Sequence, residues 1–166
     1  MDEKLIIPEN FPELINLFVG EEFYIVKELV NYDSIEHEGG NKYRFLHIMN
    51  HHDDKIIPEA QRDFFFKMIN AIRTDKVFMD ADGFAVININ NYEGLTWKNV
   101  EKLFSPKCCI FWGIDPAVMD LVCRKYNGLV HNDCKIIFVD DIKTISESDE
   151  LKRKLWGLVK RLFGIA

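Results

Sequence analysis

From Tyr43 to its end the chain alternates between two kinds of periodicity: four short apolar runs, each followed by a helical pattern. Such an order specifies a mainly parallel sheet, because parallel neighbours need a crossover and a helix is the usual crossover. The runs are Tyr43 to Met49, Phe84 to Ile89, Cys108 to Trp112 and Cys134 to Val139. Near-continuous Phe, Leu, Ile, Val and Cys with little alternation is the pattern of strands covered on both faces. The expected fold is therefore α/β, a three-layer α/β/α domain with a mainly parallel four-stranded sheet over residues 42–166. Residues 1–41 are expected to form an N-terminal helical appendage, set apart by the polar stretch Tyr32 to Asn41 with its Gly39-Gly40 pair.

The helical segments carry their own punctuation. Pro58 stands near the start of a helix whose Phe64, Phe65, Met68, Ile69 and Ile72 share one face. Thr96 is placed to cap a helix through Leu103, which Pro106 prevents from continuing. Asp115-Pro116 supplies a cap and a first-turn proline for a helix over Ala117 to Val122. The closing helix starts from Ser146 or Ser148 and has Leu151, Leu155, Leu158, Val159 and Leu162 as its seam. A short run at Leu129 to His131 can pair with the fourth strand across Asn132-Asp133.

Composition narrows the function classes. A net charge of −6 opposes general nucleic-acid binding, which needs a surplus of Lys and Arg on one face. Charge is nonetheless uneven. Residues 1–22 hold six carboxylates against Lys4 alone, net −5, whereas Ser148 to Phe163 holds five cations against Asp149 and Glu150, net +3. No apolar run reaches membrane-spanning length and Met1-Asp2-Glu3-Lys4 is not the basic start of a signal peptide, so a cytoplasmic protein is expected. The four cysteines, Cys108, Cys109, Cys123 and Cys134, contain no C-x-x-C pair, and buried inert thiols are expected.

A doubly wound sheet places ligands at the carboxyl ends of its strands. The first such loop reads His51-His52-Asp53-Asp54, two imidazoles and two carboxylates that could ligate a divalent metal or act as acid and base. Against this, adjacent residues rarely aim at one point, and the other loops offer no H-x-H or E-x-x-H partner. A polar turn is the simpler reading. Asp115 is similarly explained as a helix cap beside Gly113. No phosphate-cradling glycine pattern and no G-x-S-x-G elbow occurs. His51, His52, Asp53 and Asp115 thus form a weak catalytic alternative to a chain with no catalytic residues, no cofactor and no metal.

The succession Tyr43-Arg44-Phe45-Leu46-His47-Ile48-Met49, a helix, Cys108-Cys109-Ile110-Phe111-Trp112-Gly113, Lys135-Ile136-Ile137-Phe138 and the helix Leu151-Lys152-Arg153-Lys154-Leu155-Trp156 resembles the psi subunit of bacterial DNA polymerase III. The resemblance spans about residues 43–163 and is one of pattern. It implies the three-layer architecture of the uracil-DNA glycosylase superfamily. It also implies a non-enzymatic adaptor that joins the clamp loader to the chi subunit, which in turn contacts single-strand-binding protein. The G-x-D-P-Y or G-E-x-P-G loop of active glycosylases is missing after the first strand, and the H-P-S loop is missing after the last. The expected function is accordingly a protein–protein adaptor in replication, with replisome components as partners and neither direct nucleic-acid nor membrane binding. A uracil-DNA-glycosylase-like or metal-assisted hydrolase using the His51 to Asp54 loop is the alternative. Leu14, Ile15 and Phe18, the apolar stripe of the acidic segment, are the expected contact residues. That segment is also the departure from the psi pattern, which carries its clamp-loader-binding tail there.

Overall fold

A computed structural model describes residues 32–53, 55–74 and 79–165. The N-terminal helix expected from Asn10 and the contact residues Leu14, Ile15 and Phe18 lie outside the described residues, as does Asp54.

The described chain is α/β, built on a five-stranded, mostly parallel sheet. The strands are β1 (Phe45–Met49), β2 (Phe84–Asn88), β3 (Cys108–Trp112), β4 (Gly128–His131) and β5 (Cys134–Val139), in spatial order β2-β1-β3-β5-β4. β1 is parallel to both neighbours, with Met49 level with Asn88 on one side and Trp112 on the other. β1 and β3 are thus adjacent and neither is an edge.

The expected count of four strands is corrected to five. β4 pairs antiparallel with β5 across Asn132 and Asp133, whose φ values of 47° and 63° are those of a tight two-residue hairpin turn. β4 is an edge strand with alternating exposed and half-buried residues, so it has no apolar run to announce it.

Strand alternation divides the core. On one face Phe45, Met49, Ile110, Trp112 and Val139 pack under helices α1 (Arg62–Asn70), α3 (Ile142–Glu147) and α4 (Asp149–Phe163). On the other face Leu46, Ile48, Phe111, Ile136 and Phe138 meet Trp97, Val100 and Phe104 of α2 (Trp97–Phe104). The Thr96 cap is present as a reciprocal box with Asn99, and Ser148 caps α4 by accepting the Leu151 N–H at 3.3 Å. The helix expected over Ala117 to Val122 is a single 3-10 stretch, Pro116–Met119, stopped by Asp120 in the left-handed conformation. Directly after β5, Asp141 caps the start of α3.

The polar stretch before β1 packs on the sheet. Glu38 bridges antiparallel to Val86 through two backbone hydrogen bonds of 3.0 and 2.8 Å, covering the outer side of β2. Ile35 enters the core on the α2 side, and Glu38 binds Arg62 of α1 through both carboxylate oxygens. Gly39 is needed here: its φ is +97°, and a Cβ would stand 2.4 Å from the Phe84 carbonyl oxygen.

Candidate functional site

The sheet order reverses between β1 and β3. A cleft of about 310 Å³ opens there, at the carboxyl ends of both strands. Met49, Trp112 and Ile142 give it apolar walls, while Asn50, Gln61 and Lys143 are among its polar residues. Of the weak catalytic candidates, His51 and Asp53 line it, while His52 and Asp115 do not.

His51 is tied into the loop on every polar atom. Its N–H donates to Asn88 Oδ1 at 3.2 Å, and its carbonyl accepts from Asn88 Nδ2 at 3.0 Å. Its Nε2 stands 2.9 Å from the Ile56 carbonyl oxygen. A carbonyl only accepts, so Nε2 carries the proton and Nδ1, 3.5 Å from Asn88 Nδ2, is the acceptor. Asn88, 6% exposed, also accepts the Asn90 N–H at 3.3 Å and so caps the turn after β2. The His51–Asn88 pair welds the loops after β1 and β2 and leaves neither ring nitrogen of His51 free for a substrate proton. His52 and Asp53 are exposed. Among the described residues no group of three or more His, Cys, Asp or Glu side chains converges as a metal would require.

Asp115 and Asp141, at the same end, are caps. Asp115 accepts the Ala117 N–H at 2.9 Å, as its place before Pro116 implies. Asp141 accepts the Thr144 N–H at 2.9 Å and the Thr144 hydroxyl at 2.6 Å. Burial works to raise the Asp141 carboxyl, but the Thr144 hydroxyl and nearby backbone N–H groups outweigh it and hold the group below the usual range. Gly113, with φ +68°, brings the loop after β3 against Asp141 so closely that a Cβ would lie 2.8 Å from Asp141 Cβ. Just before it, Lys125 Nζ donates to Asp140 Oδ1 at 2.7 Å and the Tyr126 hydroxyl to Asp140 Oδ2 at 2.8 Å. The Lys125 ammonium is the main reason the Asp140 carboxyl titrates low.

Three cysteines are buried as expected, Cys108 and Cys109 in β3 and Cys134 in β5. Burial pushes Cys108 and Cys134 up to about 12 and Cys109 well above its ordinary value, so none is a ready nucleophile.

The residues that sequence reasoning missed at this end are Asn88, Trp112, Asp141 and Lys143. Asn88 carried a signal, a polar residue inside the run Phe84 to Ile89 at the position where the strand stops, and so did Asp141, an N-cap residue type. Among the described residues no helix is long and apolar enough to cross a membrane. No family model matches the chain, and no curated protein does so either.

Proposed function

We propose that the chain is a non-catalytic protein–protein adaptor, similar to the psi subunit that links clamp loader and single-strand-binding machinery in DNA replication. In this reading the sheet and its cover on two faces amount to the three-layer α/β/α architecture. The N-terminal appendage supplies Leu14, Ile15 and Phe18 as contact residues, and the protein works in the cytoplasm.

The observation that carries the reading is the commitment of polar groups at the carboxyl end of the sheet. His51, Asn88, Asp115 and Asp141 each serve the backbone of a loop or helix start, which is what a scaffold needs and what a general base cannot afford. The cleft beside His51 and Asp53 favours the second reading, a glycosylase-like or metal-assisted hydrolase.

Two measurements separate these. Affinity purification of the tagged full chain from its source cell, with mass-spectrometric identification, should recover clamp-loader subunits, and changing Leu14, Ile15 and Phe18 together to Glu should abolish the recovery. Incubation with uracil-containing single- and double-stranded DNA should release no base. Uracil release that disappears in Asp53→Asn, or purification without any replication protein, would overturn the adaptor.

A further inference from the structure

The β4–β5 hairpin leaves part of the sheet open. Leu129 packs with the α2-side cluster, so by strand alternation Gly128 and Val130 face the α4 side. Among the described residues nothing meets a Cβ placed on Gly128 within 4 Å, and Val130 is 70% exposed. Their cross-strand partners on β5, Ile137 and Lys135, share that face. Leu158 and Leu162 of α4 form the opposite wall. Between them runs a groove of about 550 Å³.

Its electrostatics are one-sided. Lys154, Leu158 and Arg161 stand at i, i+4 and i+7 and so follow one stripe of α4 alongside the groove. Arg161 lines the groove and forms no ion pair among the described residues. Lys154 Nζ lies 4.0 Å above the Tyr126 ring and adds its charge to those holding the Asp140 carboxyl low, while the direct bonds to Asp140 come from Lys125 and the Tyr126 hydroxyl. Among the described residues, none lining the groove is acidic.

We infer that this groove docks an acidic segment of a partner protein, with large apolar side chains on the floor of Ile137, Leu158 and Leu162 and carboxylates against Arg161 and, on the same stripe of α4, Lys154. It names a second surface of the adaptor, besides the contact residues Leu14, Ile15 and Phe18, and so rests on that reading. Charge complementarity selects an acidic occupant. The floor selects protein over nucleic acid. It is aliphatic, and the ring of Tyr126 is covered by Lys154, so no stacking platform is left for bases.

The test is selection of a phage-displayed random peptide library on the full chain, repeated on the double variant Lys154→Glu/Arg161→Glu. Both residues are exposed, and an unchanged urea midpoint verifies the variant's fold. Selection on the unaltered chain should enrich peptides with Asp and Glu flanking Leu, Ile or Phe, and the double variant should bind the enriched peptide about tenfold or more weakly. No enrichment, enrichment of non-acidic peptides, or equal affinity for both proteins would overturn the groove. So would binding of an oligothymidylate strand that the double variant abolishes. If the double variant still recovers replication proteins as the unaltered chain does, the groove fails and the adaptor survives. If the unaltered chain recovers none while acidic peptides bind as described, the adaptor fails and the groove survives.

Discussion

Trp112 Nε1 donates a hydrogen bond of 3.1 Å to His47 Nδ1 across the β3–β1 pair, inside the core. His47 is fully buried among Phe45, Phe65 and Phe84, and its other nitrogen has no hydrogen-bond partner among the described residues. Accepting from the indole fixes the proton on Nε2, whose N–H is left to aromatic rings. This places a titratable group directly beneath the wall of the cleft, since Trp112 also lines it.

That burial makes stability depend on pH. Desolvation pushes the His47 imidazolium down to about 3, whereas the unfolded chain protonates its histidines near 6.5. Between those values the unfolded state binds more protons, so this contribution is fully present above about pH 6.5 and is lost as pH falls toward 3. The slope from this one group is at most about 1.4 kcal/mol per pH unit. Urea unfolding at a series of pH values should show the decline, and the apolar pair His47→Leu/Trp112→Phe should flatten it. An equal slope in the pair would place the acid sensitivity elsewhere.

The loop weld predicts a second cost. Asn88→Leu keeps the bulk but leaves the His51 N–H and carbonyl without partners, so it should destabilise by about 1–3 kcal/mol. His52→Ala, at an exposed neighbour, should stay within about 0.5 kcal/mol. Urea midpoints compare the two. Equal effects would mean that the Asn88 bonds do not hold the loop.

Gly113→Ala meets two penalties, the left-handed φ of +68° and the contact with Asp141 Cβ at 2.8 Å. The loops after β3 and β5 would have to part, costing roughly 1–3 kcal/mol. Thermal unfolding should register a drop of a few degrees.

Thiol labelling reads the core independently. Cys123 is half-buried, while Cys108, Cys109 and Cys134 are buried. A disulfide reagent should therefore modify one thiol of the native protein quickly and all four only in denaturant. Burial raises the Cys123 thiol too, so its rate should be slower than that of free cysteine.

The parts legible in the sequence were those set by local chemistry. β3 and β5 have the bounds of their apolar runs, and Thr96, Asp115 and Ser148 cap the structures that follow them. What escaped was set by non-local contacts or short lengths. β4 gains its pairing from β5, and its half-exposed face gave no periodicity. α3 has only six residues, too few for a helical repeat, and is announced solely by the Asp141 cap. At the site, His51 could be read as a ligand or a turn residue until Asn88, 37 positions away, was seen to bind it. The cleft itself followed from strand order, because β1 and β3 are neighbours whose onward connections part.

The acidic segment supplies the last prediction. Residues 1–22 combine a net charge of −5 with Leu5, Ile6, Ile7, Phe11, Leu14, Ile15 and Phe18. Burying each such side chain contributes about 1.5–3 kcal/mol, which is a strong drive to dock on something. An acidic stretch with an apolar stripe suits helix-in-groove recognition by a partner. In the proposed adaptor, deleting residues 1–22 should leave a domain with a cooperative urea transition, because the buried residues described on both faces of the sheet all come from Ile35 onward. The same deletion should abolish recovery of clamp-loader subunits. Failure of the truncated chain to fold would make the segment core structure, and undiminished recovery would move the contact to another surface.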